Sequence, residues 1–477
     1  MSQMIAGKLP TTDMDSVKSQ PTTACHVVAI PYPGRGHINP MMNLCKSLAS
    51  KSNSSILVTF VVTEEWLGFI GSESKPHGIC LVSIPNVLPS ELTRGSDMEG
   101  FLEAVHTKME APFERLLDRL EPLATLILAD SFLSWVVAVG NRRNIPLASF
   151  WPMSASFFSV LQHHYLFEQH GHFLVDLSEK GDELVDYIPG VSSTRLAEFP
   201  LVSTETDKKV LQRILKVFSS MQKVQYLVIT SVYELENTPM DVIKQEFSFP
   251  VYVIDPLISS FELKDGDDKD DDSNTSKNDY LKWLDCQPAN SVLYVSMGSY
   301  IQILDAQFDE IAYGLKESEV PFLWVTREQN SQLKEVCGDM GMVVSWCDQL
   351  KVLSHPSVGG FLSHCGWNSV KEGLLIGGIP FLTFPLYADQ IFNSKLVVED
   401  WKIGWRMKRI KGDEDNVVNR NEIKELVRKF MDIDDMEVKE MKRRVKQFQE
   451  KLRNAIHYTH ELFENDIYSF LEKISQY

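Results

Sequence analysis

The amino-acid sequence predicts an α/β protein built on two parallel, doubly wound sheets. Three observations lead there. Short β-branched apolar runs alternate with helically patterned segments along most of the chain. An aspartate-rich stretch interrupts the alternation once, after which it resumes. The length of 477 residues is about three times that of a comfortable single domain.

Residues 1–24 are polar, lack the apolar core of a signal peptide, and are expected to be disordered. CHVVAIPYP then reads as a strand, followed by GRGHINP and a helix over MMNLCKSLAS. SILVTFVVT and LATLILAD are two further strand runs, and SFLSWVVAVGNRRN continues the latter as a helix with basic residues in its last turn. YLVITSVYELE and FPVYVIDPL carry the rhythm to residue 257. The first domain is therefore placed at 25–257 and an acidic linker at 258–285, around KDGDDKDDDSNTSKND. Its two Asp-x-Asp spacings, Asp265–Asp267 and Asp268–Asp270, read as solvated charge.

The second series is SVLYVSMGS, a helix over 305–318, PFLWVTR, MVVSW, VGGFLSH, a helix from Gly366, and PFLTFP. It defines a domain at 286–455. The charged, proline-free tail is helical, and its last part, 456–477, is expected to fold back toward the first domain.

Composition narrows the function. Lys and Arg total 47 against 65 Asp and Glu, a formal charge of −18, which repels phosphate backbones and anionic lipid. Nucleic acid is thus an unsuitable partner, and no segment reads as a membrane span; Leu123–Gly140 contains Asp130 and Ser131 and reads as strand into helix. The seven cysteines are scattered without any CxxC spacing, which suits reduced thiols in the cytoplasm and no zinc site. Four histidines at 163, 164, 170 and 172 sit in an aromatic stretch without ligand spacing, so no metal is expected there.

Ligands of open α/β sheets bind beyond the carboxyl ends of strands, and two constellations lie there. In the first, the strand ending at His364 leads straight into a helix at GWNS. The unpaired amides of a helix start favour an anion, and His364, Asn368 and Ser369 add side-chain donors. Glu372 lies two turns on, placed to accept from ribose hydroxyls. Trp346, assigned to the end of the neighbouring strand, offers a flat face for a base. Asp389 and Gln390, past PFLTFP, suit a hydroxyl-rich sugar. The set describes a nucleotide sugar.

The second constellation is His37 with Asp130. His37 follows the first strand in the glycine turn Gly34-Arg35-Gly36, and Asp130 ends LATLILAD, so both face one rim. A neutral imidazole, titrating near about 6.5, is suited to take a proton from a hydroxyl, and a carboxylate on its other nitrogen fixes the tautomer. Alone, Asp130 could equally cap the following helix. Gly34-x-Gly36 is no dinucleotide fingerprint, for Asn39 stands where the third glycine is required.

The stretch from Trp346 to Gln390, with HCGWNS at its centre, resembles the carboxy-terminal signature of plant family-1 UDP-dependent glycosyltransferases. Similarity of organisation extends over 25–475 and includes PYPGRGHINP and VSMGS. The resemblance implies the GT-B fold, two Rossmann-like domains facing across a cleft, with the UDP-sugar on the second and the acceptor on the first. It implies Trp346 on uracil, with Cys347 beside it contacting the base through its backbone, and Gln349 and Glu372 on the ribose. His364, Asn368, Ser369 and Ser299 would hold the diphosphate. Asp389 and Gln390 would hold the sugar, with Trp367 contributing through its backbone. His37 would be the base and Asp130 its partner.

Two departures stand out. The opening is Trp346-Cys347-Asp348-Gln349 rather than Trp-Ala-Pro-Gln, and LLIGGIP is one residue longer than the family pattern. Gly377–Gly378 is the expected place to absorb the extra residue. The expected activity is inverting, metal-independent transfer of glucose from UDP-glucose, as co-substrate, to a hydroxyl or carboxyl of a small lipophilic plant metabolite. A non-turnover nucleotide-sugar binder, a transferase of galactose or xylose, a nicotinamide oxidoreductase and a glycoside hydrolase are the rival readings. Oligomeric state is not legible.

Overall fold

The computed structural model describes residues 25–474 except 52–55, 71–77, 92–93, 95–96, 201–204, 255–278, 299–302, 327–332, 334–335, 408–416 and 459. The side chains at 51, 205–207, 455–458, 460–465 and 467 are also outside the description. Ser299, the Asp-x-Asp pairs and the expected disordered start therefore lie outside the described residues.

Among the described residues the first sheet has seven strands and the second six; the first comprises β1 Cys25–Ile30, β2 Ile56–Thr63, β3 Ile79–Ile84, β4 Leu126–Asp130, β5 Leu147–Trp151, β8 Tyr226–Ile229 and β9 Val251–Val253. Their order is β3-β2-β1-β4-β5-β8-β9, all parallel. Central strands of such a sheet are covered on both faces, which is why every residue of β1, β4 and β5 is buried. A small antiparallel hairpin, β6 Leu184–Val185 with β7 Thr194–Arg195, lies outside the sheet.

The second sheet has six: β10 Val292–Ser296, β11 Phe322–Val325, β12 Gly341–Val344, β13 Val358–Ser363, β14 Phe381–Thr383 and β15 Gly404–Arg406. The order β12-β11-β10-β13-β14-β15 is again fully parallel. In each sheet the winding reverses once, between β1 and β4 and between β10 and β13. A crevice opens beyond the carboxyl ends at such a reversal.

Three sequence-based placements change. Trp346 does not follow a neighbour of β13, because β12 is the edge strand and β11 and β10 intervene. Sheet order is set by crossovers, which local periodicity does not encode. Residues 279–285, read as the end of the linker, form a helix whose Tyr280 and Leu284 are buried against the second domain. The helix Met436–Tyr458 runs unbroken past residue 455.

The halves are joined by more than the chain. Leu196, Phe199 and Val232 of the first share an apolar cluster with Phe392 and Leu396 of the second, and the rings of Phe199 and Phe392 are 5.8 Å apart. The helix His460–Ile474 returns to the first half. There Phe470 packs on Tyr226 and Tyr252, and Asp466 accepts from the Val253 amide at 3.1 Å.

Candidate active site

His37 and Asp130 sit on opposite sides of the first reversal point, and the geometry follows from that. Four residues separate β1 from the helix Arg35–Lys51, so His37 occupies its first turn rather than a loop. Its Nδ1 lies 2.7 Å from Asp130 Oδ2. The other carboxylate oxygen accepts from the Phe132 amide at 3.0 Å. Asp130 caps no helix: the one after it, Ser134–Arg143, has Leu133 at its N-cap and no side-chain cap. With the Asp130 side chain fully buried and that of His37 20% exposed, the carboxylate fixes Nδ1 as the protonated nitrogen and leaves Nε2 with a free lone pair. Tyr32 and Phe132 flank the ring at 5.1 and 6.0 Å.

The second reversal point carries His364. β13 ends at Ser363, Cys365 takes a left-handed φ of 65°, and the helix Trp367–Glu372 begins after Gly366. A Cβ added at Gly298 or Gly366 would come within 2.6 Å of His364 Nε2, so the imidazole lies in a slot that only glycines leave open. Burial pushes His364 down to about 4, and its buried Nδ1 has no hydrogen-bond partner among the described residues. The ring is thus neutral near pH 7, with an unsatisfied polar atom beside the helix start.

Gln349, Ser369 and Glu372 converge although 23 residues separate the first from the last. Gln349 Nε2 donates to Glu372 Oε2 at 2.6 Å and to Ser369 Oγ at 3.3 Å. Its Oε1 accepts from the Tyr294 hydroxyl at 2.9 Å. Tyr294, on β10, was not singled out from the sequence, where it looks like any core residue of VLYVS. Cys347 is buried with its thiol 3.5 Å from that hydroxyl, whereas Trp346 is 51% exposed.

The segment that carries LLIGGIP contains a π turn, Gly373–Gly377, followed by Gly378 at φ 57°. A π turn is the form an inserted residue gives a helix. Downstream, Ala388 adopts φ 53° and ψ −128° and sets Asp389 at the start of the helix Asp389–Lys395. Burial raises Asp389 to about 6, opposed by a hydrogen bond from Asn393 and by its electrostatic interaction with His37 across the cleft. Gln390 Oε1 is engaged with the Leu386 and Tyr387 amides at 2.9 and 3.2 Å.

The two constellations meet. Asn368 Nδ2 donates to the Gly36 carbonyl at 2.8 Å. The Trp367 indole and the buried Lys371 amine both donate to the Thr230 carbonyl, at 3.0 and 3.1 Å.

The histidines at 163–172 do not gather. His163 binds Glu246 at 2.6 Å, His172 binds Glu183 at 3.0 Å, and His170 stacks on Tyr187 at 3.8 Å. Among the described residues no group of three or more His, Cys, Asp or Glu could hold a metal ion, and no helix is long and apolar enough to cross a membrane. Trp151, Phe157 and Phe158 of the aromatic stretch belong to the core of the first half.

Two doubly wound domains with facing reversal points, one bearing a histidine–carboxylate pair and the other a buried histidine beside a helix start, define the GT-B fold. Comparison with known proteins narrows the class. The family described as "UDP-glucoronosyl and UDP-glucosyl transferase" matches residues 208–416. UDP-glycosyltransferase 87A2 of Arabidopsis thaliana is 47% identical over 445 residues, 93% of this chain and 95% of the relative. UDP-glycosyltransferase 87A1 of the same plant is 48% identical over 429 residues, 90% and 95% of the two chains. The chain therefore belongs to the plant family-1 UDP-glycosyltransferases and is an enzyme of glycosyl transfer from a UDP-sugar. In fold it matches Medicago truncatula UGT71G1, solved with UDP-glucose, at a TM-score of 0.77 and 24% identity, over 94% of this chain and 98% of that one.

Proposed function

We propose that this enzyme transfers glucose from UDP-glucose, with inversion and without a metal, to a hydroxyl or carboxyl of a small lipophilic plant metabolite in the cytoplasm. The observation that carries the reading is the direct contact of the two reversal points through Asn368 and Gly36, one residue from His37, and it is supported by the electrostatic interaction of His37 with Asp389. A binder without turnover would have no use for a base held by Asp130 and facing a sugar carboxylate.

Each residue then has a task. Trp346 stacks on uracil with Cys347 beside it, and Gln349 and Glu372 take the ribose hydroxyls. His364, Asn368, Ser369 and Ser299 hold the diphosphate, which gains charge as the glycosidic bond breaks. A neutral imidazole N–H and fixed amides stabilise that charge without reorganising. Asp389 and Gln390 take the sugar hydroxyls, and Trp367 contributes through its backbone. His37 Nε2 removes the acceptor proton, the acceptor oxygen attacks the anomeric carbon opposite UDP, and an α-linked donor yields a β-glucoside. The imidazolium that forms is stabilised by Asp130.

Glucose is favoured because the π turn absorbs the added residue before Gly378 and leaves Asp389 within the field of His37. The UDP-glucose bound to the Medicago relative supports the same donor. Purified enzyme incubated in EDTA with UDP-glucose, UDP-galactose or UDP-xylose and a plant metabolite panel, read by mass, tests this. Glucosides should dominate; a strict need for manganese, or products from another donor alone, would refute it.

A further inference from the structure

Asn393 is wholly buried on the helix Asp389–Lys395, one turn after Asp389. A buried primary amide has two N–H donors and a carbonyl acceptor to satisfy. Its Nδ2 donates to Asp389 Oδ2 at 2.8 Å and to the Cys365 carbonyl at 3.0 Å. Its Oδ1 accepts from the Ser154 hydroxyl of the other half at 3.2 Å. The partners determine the amide's orientation, since a carboxylate and a carbonyl can only accept.

Both sides of this junction are themselves held. Ser154 Oγ caps the helix Ala155–Gln162 through the Phe157 amide at 3.2 Å, and its carbonyl accepts from the Trp151 indole at 3.0 Å. Trp151 stacks on Phe132 at 5.5 Å, and the Phe132 amide holds the carboxylate that orients His37. On the donor side, Cys365 is in a left-handed conformation that residues with a side chain adopt only under constraint, and its carbonyl is fixed by the same amide.

We infer that Asn393 is a positioning residue: it registers the sugar-holding carboxylate Asp389 and the diphosphate link at Cys365 against the base in the other half, through Ser154. This rests on the reading of His37 as base and of Asp389 as sugar ligand. Having no exposed surface, Asn393 acts through its neighbours and touches no substrate.

Two variants of the full chain separate its roles. Ser154→Ala removes the Ser154–Asn393 bond between the halves, together with the helix cap on the Phe157 amide, and keeps both donors to Asp389 and Cys365. Asn393→Asp keeps size and the Ser154 bond but sets a carboxylate oxygen against Asp389. The dissociation constants of UDP and UDP-glucose and the kcat with a responsive acceptor are compared with the unmodified enzyme. Ser154→Ala should bind both ligands within about twofold and lose about fivefold or more in kcat. Asn393→Asp should shift the ratio of the two constants against UDP-glucose by about tenfold. Parallel weakening of both ligands with a lowered Tm, or unchanged kinetics in Ser154→Ala, would overturn the inference. Ser154→Ala decides alone if Asn393→Asp does not fold. Failure of the unmodified enzyme to use UDP-glucose would instead strike the reading beneath it.

Discussion

The side chain of Asn368 reaches 2.8 Å across the cleft to the carbonyl of Gly36, so the helix after His364 and the helix bearing His37 meet tip to tip. His37 lies one residue beyond that contact, at the junction of the two halves.

If His37 is the base, His37→Ala should lower kcat by about a thousandfold while UDP affinity stays within about twofold. Asp130→Asn, which disturbs the tautomer at Nδ1, should cost about a hundredfold or more. Single-turnover kinetics beside calorimetry of UDP binding reads both. Equal loss of binding and turnover would make the pair structural.

Tyr294→Phe removes the hydroxyl that accepts no substrate but orients Gln349. Losing one buried hydrogen bond costs about 1 kcal/mol, so UDP should bind about fivefold more weakly. Affinity for a UDP analogue lacking the ribose hydroxyls should be unaffected, because the ribose contacts alone depend on Gln349 and Glu372.

Asp389, raised to about 6, is protonated below that value and ionised above it. Only the carboxylate accepts from two sugar hydroxyls, so KM for UDP-glucose should fall as pH rises from 5 to 7. The inhibition constant of UDP, which has no sugar, should not follow. Asp389→Asn should flatten the donor limb. The sign for stability is opposite: a carboxyl raised by burial opposes folding once ionised, from its ordinary 3.8 upward.

His364 is shifted the other way, from 6.5 to about 4. Protonation therefore favours the unfolded chain, and stability should be lost as pH falls from 6.5 toward 4. The gap between the two values sets an upper limit of about 3 kcal/mol. Urea midpoints of the enzyme and of His364→Asn, compared across that interval, isolate the effect; parallel curves would count against it.

Much of this was legible because chemistry in doubly wound sheets gathers where strands stop. Strand ends at Asp130 and near His364 are visible as apolar runs meeting glycines and polar residues, so both constellations could be named from the sequence. What brings them together was less visible. The edge position of β12, which sets Trp346 apart from β13, depends on crossovers. β5 runs into an aromatic stretch in which Trp151, Phe157 and Phe158 are core while Tyr165 is exposed. Tyr294 is a buried strand residue like its neighbours until its hydroxyl is seen on Gln349, and Ser154 and Asn393 meet only after both halves have folded.

The return of the helix His460–Ile474 to the first half gives the molecule a mechanical property. The polypeptide passes from one lobe to the other near residue 279 and comes back after Tyr458. Two crossings restrain the lobes more than one would, and a chain cut at either would still be held by the other and by the apolar cluster that joins Phe199 to Phe392.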